Sequence, residues 1–260
     1  MKNQTAFLPA FFLLSLLFHH TLQAQLPQPL KLWYSQPATH FEETLLIGNG
    51  RQGAIIYGGV NKEKIHLNDL TLWSGEPVNP YMNPTAHQYL PKVREALARE
   101  DYRSANELLK NIQGKFSESY APLGTLQIEF PSDTANTYYR ELDIENATAK
   151  VEYNVNGQTT TREYFYSYPD NAMAVRMHSS KKGGLNFTVS FRSLLKYNSH
   201  KEGNALVVDG YAPVKADPHY TDNKVDAVVF DPAKGTRFAA QVAVKSYEGI
   251  ITLTDSNLQV

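Results

Sequence analysis

Hydrophobic and polar residues alternate along most of this chain, and the alternation is clearest after residue 123. Between Leu126 and Phe130 every second side chain is apolar, so one face of that segment can be buried. The same period of two recurs in short segments separated by turn residues, which is typical of strands in antiparallel sheets. Asn156 and Gly157 separate two of these segments and predict a hairpin. The predicted strands cover residues 126–130, 138–144, 150–155, 158–168, 172–178, 185–192, 205–210, 227–230, 237–245 and 250–253.

Residues 48–75 contain the most informative pattern in the N-terminal half. A loop with glycines at positions 48, 50 and 53 precedes an apolar strand, and a second strand, 65–70, ends in polar and aromatic residues. The glycine spacing matches loops that bind phosphate, but such loops precede a helix, whereas a strand follows here. The spacing therefore favours a tight turn in which glycines let two backbone segments approach closely.

The strand pattern is interrupted between residues 76 and 114. Residues 76–88 contain three prolines and predict a loop. Apolar residues at helical spacing then predict two short helices, residues 90–99 and 101–113, with Asp101 as the N-cap of the second. This pair either covers one edge of a sheet or forms a docking surface for another domain.

These patterns predict a mainly β fold: a large antiparallel β-sandwich (super-sandwich) with a small two-helix insertion. The 260 residues and 42% hydrophobic content suit one large all-β domain. The 25 basic and 26 acidic residues give a net charge of −1, so no basic face for nucleic acid is indicated. The chain has no cysteine, which excludes disulfides and thiol catalysis.

The first 24 residues have the pattern of a signal peptide. Lys2 precedes an apolar run, residues 7–18, that is too short for a membrane span, and residues 22–24 fit a cleavage site before Gln25. We therefore expect residues 25–260 to form a secreted or periplasmic product with no membrane span. The chain ends at Val260 in strand-like sequence, which predicts a truncation or a gene fragment.

No metal site is indicated by the spacing of the histidines, which form no HxH or HExxH motif. His66 alternates with apolar neighbours and is expected to be exposed on a strand face. Asp217, His219 and Asp222 form a local polar group that either binds calcium or lies in a disordered loop, and the loop is the favoured interpretation.

Several short motifs together resemble the N-terminal domain of glycoside hydrolase family 95, which contains α-L-fucosidases and some α-L-galactosidases. The resemblance covers residues 31–260. Two positions depart from the family, which usually has Gln in place of Ala121 and Asp in place of Thr125. Both departures affect polar contacts in one loop. The matching motifs are Trp33-Tyr34, Pro37-Ala38, Gly53-Ala54, Gly58-Gly59 and residues 46–50, 67–75, 120–124, 139–143, 161–163 and 237–240.

The resemblance implies a fucosidase-type enzyme whose chemistry lies elsewhere. In this family a general-acid Glu, and the Asn and Asp residues that activate water, belong to an (α/α)6 barrel that follows the sandwich. Hydrolysis proceeds with inversion and without a cofactor. The chain lacks sequence for that barrel, so none of its residues is assigned a catalytic role. Six carboxylates are candidates for an acid–base pair, but none sits in a convincing pair: Glu42, Glu43, Glu63, Asp69, Glu76 and Glu118.

Matching position to the family places the loop 48–53 and the segment 68–74 at the rim of the substrate pocket. Asn49 and Asn68 are candidates for hydrogen bonds to sugar hydroxyls, and Trp73 for stacking. Arg51 and Tyr120 are assigned to the same substrate-binding or barrel-facing surface. The alternatives are core packing beneath the helical pair for Trp73 and backbone capping for Asn68.

The sequence therefore predicts the N-terminal domain of a secreted α-L-fucosidase-like glycoside hydrolase. The whole enzyme would hydrolyse terminal α-L-fucosyl linkages in fucosylated glycans, together with a helical-barrel domain, and this chain alone would be inactive. The alternative is a free-standing carbohydrate-binding or interaction module that uses Trp73, Tyr81 and Tyr120.

Overall fold

The computed structural model describes residues 29–114, 117–131, 134–220 and 225–260, so the predicted signal peptide, residues 1–24, lies outside its described part. The largest sheet is antiparallel and has seven strands. With strands numbered in chain order, it contains, from one edge to the other, β16 (Thr252–Leu253), β17 (Asn257–Gln259), β10 (Thr188–Arg192), β5 (Gly124–Glu129), β4 (Lys62–Asp69), β3 (Gln52–Ile56) and β2 (Leu45–Gly48).

A second antiparallel sheet has five strands, of which four follow one another along the chain. The predicted hairpin joins two of them, and Asn156 and Gly157 have φ angles of 51° and 83°, as a type I′ turn requires. The prediction of a turn at this position is confirmed. From edge to edge, this sheet contains β1 (Lys31–Tyr34), β6 (Thr137–Asp143), β7 (Thr148–Val155), β8 (Gln158–Ser167) and β9 (Ala172–Ser179).

One hydrophobic core fills the space between these two sheets. Alternate residues of each strand point inward, as the period of two predicts. The fully or almost fully buried side chains include Leu45, Ile56, Ile65 and Ile128 from the larger sheet and Ala149, Val151 and Tyr164 from the smaller one. The fold is a mainly β sandwich, as predicted.

A buried ion pair joins the two sheets inside this core. Glu63 on β4 and Arg162 on β8 are both fully buried, with 3.3 Å between Glu63 Oε2 and Arg162 Nη2. Glu63 also accepts hydrogen bonds from the Gly58 amide and the Tyr164 hydroxyl, each at 2.8 Å. Arg162 donates to the Gly59 carbonyl at 2.6 Å. These contacts hold the Gly58-Gly59 turn against the opposite sheet.

The two-helix insertion is present, as α1 (Leu90–Ala98) and α2 (Tyr102–Leu109). Asp101 caps α2, since its side chain accepts a hydrogen bond from the Ser104 amide at 3.1 Å. The helix ends at residue 109, four residues earlier than predicted. Within the described ranges, no helix has the length and apolar content needed to cross a bilayer. Two 3-10 helices, Phe41–Glu43 and Ala86–Gln88, lie in the connections.

Two smaller antiparallel sheets complete the described architecture. One of them includes a strand, residues 196–202, that was not predicted, because its mostly polar sequence lacks the alternation expected of a half-buried strand. It is an edge strand, which needs fewer apolar residues than a central one. The three-stranded sheet contains β11 (Lys196–Glu202), β12 (Ala205–Tyr211) and β15 (Arg237–Ala243), and the other pairs β13 (Lys215–Ala216) with β14 (Val228–Val229).

Candidate functional site

Three connections meet at one end of the seven-stranded sheet. The turn between β2 and β3, the last residues of β4 and the segment that enters β5 are neighbours because Gly53 pairs with Asn68 and Leu67 pairs with Gly124. Four of the five predicted site residues lie in these connections, and Trp73, in the segment that follows β4, joins them through a backbone bridge to Tyr120. We call this group, made up of Asn49, Arg51, Asn68, Trp73 and Tyr120, the end-loop cluster.

Asn49 shapes the turn between β2 and β3. Its side-chain oxygen accepts hydrogen bonds from the amides of Arg51 at 3.1 Å and Gln52 at 2.7 Å. Its side-chain nitrogen lies 3.4 Å from both the Ser167 carbonyl, at the end of β8, and the Asn171 side chain, in the connection between β8 and β9. The side-chain oxygen of Asn49 is therefore already bound within the loop, and its side-chain nitrogen links that loop to the other sheet.

Arg51 and Asp69 form an ion pair at the edge of the cluster, with 3.4 Å between Arg51 Nε and Asp69 Oδ2. Asp69 also accepts hydrogen bonds from the Thr71 amide at 2.9 Å and the Thr71 hydroxyl at 2.6 Å. Partial burial disfavours the charged form of Asp69, but the Thr71 hydrogen bonds and the Arg51 charge outweigh it and lower the pKa. Asp69 is thus an ionised turn residue and is unsuited to the role of a general acid.

Asn68, Trp73 and Tyr120 form the aromatic part of the cluster. The Tyr120 hydroxyl donates a hydrogen bond to the Asn68 side-chain oxygen. Trp73 and Tyr120 are joined by a backbone bridge, and their rings meet edge to face with centroids 6.1 Å apart. The Trp73 indole N–H donates to the Leu70 carbonyl at 2.9 Å. Because Trp73 and Tyr120 remain 44% and 42% exposed, Trp73 is not a core residue and its ring surface is accessible in the described part of the chain.

The structure adds two supporting residues that the sequence did not assign to this cluster. Tyr166 donates a hydrogen bond from its hydroxyl to the Gly53 carbonyl at 3.1 Å. Burial, with a contribution from the Asp69 charge, raises the pKa of Tyr166 to about 12. Glu118 accepts a hydrogen bond from the Ser74 hydroxyl at 2.7 Å. Tyr166 lies more than 100 positions from the glycine loop, and no local motif links the two.

The two departures from the family pattern have different outcomes in the structure. Ala121 is buried in a small apolar group with Leu72 and makes no side-chain polar contact. Thr125 keeps a polar contact, because its hydroxyl lies 2.8 Å from His66 Nδ1. The expectation that His66 is exposed was wrong: the ring is partly buried between Thr125 and the Tyr57 hydroxyl, and burial, followed by the nearby Lys64 charge, lowers its pKa.

Five of the six candidate carboxylates make structural contacts, and that of Glu118 with Ser74 is given above. Glu63 is inside the core, and Asp69 belongs to the ion pair described above. Glu76 pairs with Lys234 at 3.3 Å, and Glu43 accepts a hydrogen bond from the Thr39 amide at 2.8 Å. None of these contacts joins two carboxyl groups. The end-loop cluster therefore offers amides, hydroxyls and ring faces, which suit binding rather than proton transfer.

The proposed calcium ligands lie partly outside the described residues, since Asp222 is not among them. Asp217 forms an ion pair with Lys215 at 2.8 Å. Within the described ranges, no group of three His, Asp or Glu side chains is arranged to hold a metal ion. The favoured interpretation of this region, as a loop, stays a prediction.

Comparison with known proteins relates this architecture to glycoside hydrolases. Residues 32–260 match the family described as glycosyl hydrolase family 65, N-terminal domain. Alpha-L-fucosidase 2 of Arabidopsis thaliana is 35% identical over 232 residues, which are 86% of this chain and 27% of that relative. Probable alpha-fucosidase A of Aspergillus niger is 30% identical over 57% of the chain and 20% of its own length.

The chain thus spans about a quarter of the length of the curated relatives that it matches. The family match covers nearly all of the described residues and includes every member of the end-loop cluster. The chain belongs to the glycosyl hydrolase family 65 N-terminal domain family, and its resemblance to the N-terminal domain of the family 95 α-L-fucosidases is confirmed.

Proposed function

We propose that this chain is the N-terminal β-sandwich of a secreted, inverting α-L-fucosidase. In this proposal the whole enzyme removes terminal α-L-fucosyl groups from glycans. A helical-barrel domain supplies the acid and base, and the end-loop cluster contributes to the rim of the substrate pocket. Similarity to proteins named as fucosidases supports the substrate class, although those proteins are several times longer than this chain.

The half-exposed group of Asn68, Trp73 and Tyr120 is the observation that carries the proposal. A sugar ring presents apolar C–H groups on one face and hydroxyls at its edge. The exposed Trp73 ring can pack on the C–H face, because the negative face of an aromatic ring attracts the slightly positive hydrogens. Asn68 and the Tyr120 hydroxyl lie beside it and can exchange their mutual hydrogen bond for bonds to sugar hydroxyls.

The chain alone is expected to be inactive because its cluster lacks an acid–base pair. Glycoside hydrolysis with inversion needs two carboxyl groups about 6.5–9.5 Å apart, one protonated and one ionised. Asp69, the carboxylate next to Asn68, has a lowered pKa and is bound by Arg51 and Thr71. The protonated group must therefore come from another part of the enzyme.

Hydrolysis of p-nitrophenyl α-L-fucoside tests the proposal. Residues 25–260 would be assayed alone and after mixing with a separately expressed barrel domain of a family 95 enzyme. We expect no activity alone and increased activity in the mixture. Trp73→Ala and Asn68→Ala should weaken the increase, while Phe165→Ala, an exposed aromatic on the other sheet, should leave it unchanged. Activity of the chain alone would overturn the assignment of chemistry to the barrel.

A free-standing carbohydrate-binding module is the second candidate, because Trp73, Tyr81 and Tyr120 are all exposed, Tyr81 by 79%. This function predicts saturable sugar binding by the chain alone and no effect on the activity of the barrel. Binding lost in Trp73→Ala, without any increase in hydrolysis on mixing, would favour it over the first proposal.

A further inference from the structure

The outer surface of the five-stranded sheet carries an exposed tryptophan that the end-loop cluster does not include. Trp33 lies on the edge strand β1 and pairs with Glu141 of β6. Its side chain is 60% exposed in the described part of the chain. One side of the indole faces the Tyr139 ring, with centroids 6.3 Å apart and the planes within 22° of parallel. The indole therefore leaves a large apolar surface open to a ligand.

The ring beneath Trp33 is held in place by polar contacts. The Tyr139 hydroxyl donates to Glu141 Oε2 at 2.6 Å and accepts a hydrogen bond from Lys31 Nζ at 3.2 Å. Lys31 also pairs with Glu141 at 3.1 Å. Lys31 and Glu141, on two neighbouring strands, therefore fix the orientation of Tyr139. The Trp33 ring that lies along it is thereby presented to solvent in a defined direction.

A row of charged residues crosses this outer face beside the two rings. The register places Glu141 opposite Lys150, Lys150 opposite Glu163, and Glu163 opposite Arg176. Lys150 also forms an ion pair with Glu152 at 2.9 Å, and Arg176 lies 3.5 Å from Glu163. The face thus combines one exposed indole with a row of hydrogen-bonding side chains of alternating charge.

We propose that this outer face binds a neutral oligosaccharide, with Trp33 as the stacking platform and Lys31, Glu141 and Lys150 as partners for sugar hydroxyls. A pyranose ring has an apolar area about as large as one indole ring, surrounded by hydroxyls that both donate and accept hydrogen bonds. A protein partner fits less well, because the core of a protein interface is depleted in charged residues, whereas charges directly flank this ring.

This surface is separate from the end-loop cluster, which lies on connections of the seven-stranded sheet. The two sheets face each other through the core, and the Trp33 ring is on the outer side of the smaller one. The identity of the ligand as a glycan rests on the proposed function, while the platform rests on its own geometry. A second binding surface would keep the enzyme on a branched or polymeric substrate between hydrolytic events by raising the effective concentration.

The tryptophan content makes the test direct, because Trp33 and Trp73 are the two tryptophans of the chain. In the variant Trp73→Phe, Trp33 becomes the sole indole reporter. Its fluorescence would be titrated with 2′-fucosyllactose and with a fucosylated xyloglucan oligosaccharide, and acrylamide quenching would be measured with and without each sugar. We expect at least one sugar to shift the emission saturably and to protect the indole from acrylamide.

Calorimetric titration of Trp33→Ala supplies the second measurement. Removing one aromatic stacking contact should weaken binding by about tenfold or more. Phe165→Ala is the matched control, since Phe165 lies on the outer side of β8 and is 42% exposed. It should bind as tightly as the parent chain, and both variants should retain the parent circular dichroism spectrum.

Three results would overturn the inference. The first is no change in the Trp33 emission or its quenching with either sugar. The second is equal binding by Trp33→Ala and the parent chain, and the third is a Trp33 emission that depends on protein concentration without sugar. The last result would identify the face as a contact between copies of the chain. If the fucoside assay described above failed while sugar binding at Trp33 was retained, only the proposed fucosidase function would be refuted.

Discussion

The buried Glu63–Arg162 pair gives the most demanding test of how this sandwich is held together. Replacing Glu63 by Gln keeps the volume of the side chain but removes its charge. One side-chain oxygen remains for the Gly58 amide, while the new amide nitrogen faces Tyr164 and Arg162, where Oε2 accepts hydrogen bonds in the native chain. The guanidinium of Arg162 is then left fully buried without an opposite charge.

The expected loss of stability follows from leaving the buried charge of Arg162 without its carboxylate. Arg162 Nε and Nη1 already lack hydrogen-bond partners among the described residues, and the guanidinium lies 5.2 Å from the ring centroids of Phe130 and Tyr153. Those ring faces provide some stabilisation, but they cannot replace a carboxylate. Breaking one partner of a buried pair typically costs about 3–5 kcal/mol. That is a large part of the roughly 5–15 kcal/mol by which a domain is stable.

Urea unfolding followed by circular dichroism would measure the difference. We expect Glu63→Gln to lower the free energy of unfolding by about 3–5 kcal/mol, or to prevent folding. Tyr164→Phe, which removes one hydrogen bond to Glu63 and keeps the charges, should cost about 1–3 kcal/mol. Glu129→Gln breaks an exposed pair with Lys62 and should cost less than about 1 kcal/mol. Equal losses for Glu63→Gln and Glu129→Gln would refute the reasoning, since the pair would then behave as if it were solvated.

Two further predictions concern the same core. Gly58→Ala places a Cβ against the Tyr138 hydroxyl at a φ of 76°, whereas Gly157→Ala places its Cβ in open space at a similar φ of 83°. In urea unfolding, Gly58→Ala should therefore lose about 1–3 kcal/mol more of the free energy of unfolding than Gly157→Ala. Equal losses would show that the backbone angle alone matters. Burial raises the pKa of Tyr138, Tyr153, Tyr164 and Tyr166, the last to about 12. Their contribution to the free energy of unfolding is complete below the pKa of an unfolded tyrosine, near 10, and is lost as the pH rises through their pKa values in the folded state. The loss is about 1.4 kcal/mol per pH unit for each residue that ionises on unfolding. Absorbance at 295 nm and circular dichroism should therefore show these tyrosines ionising together with unfolding, and Tyr166→Phe should reduce the slope; ionisation of all 16 tyrosines near pH 10 in a chain that stays folded would contradict this.

The elements of the fold were largely predictable because they depend on local patterns. Alternation identified most strands, the Asn156-Gly157 dipeptide identified its hairpin, and Asp101 identified the start of α2. Errors occurred where tertiary contacts outweigh the local pattern. The polar strand β11 forms because β12 offers it a free edge, and His66 is partly buried by residues from β3 and β5.

The end-loop cluster was predictable in part. Asn49, Arg51, Asn68 and Trp73 lie close together in sequence, and two paired strands bring them to one end of the sheet. Tyr120 was proposed from the family resemblance, and the structure places it against Asn68 and Trp73. The contribution of the second sheet was not predictable. Tyr166 and Asn171 reach the glycine loop only because the two sheets face each other. A single sequence contains no local pattern that shows which residues of the two sheets come into contact.

Strand β4 connects the buried pair to the candidate site. Glu63 faces the core at one end of the strand, and Asn68, five positions later, faces the opposite side at the other end. A shift of one residue in the pairing of β4 would expose Glu63 and turn Asn68 inward. Because Glu63 is bound in the core by Gly58, Tyr164 and Arg162, that shift would break a network of buried hydrogen bonds. The same contacts that make Glu63 hard to replace thus hold Asn68 beside Tyr120, so the register of the end-loop cluster is set by a charge in the core.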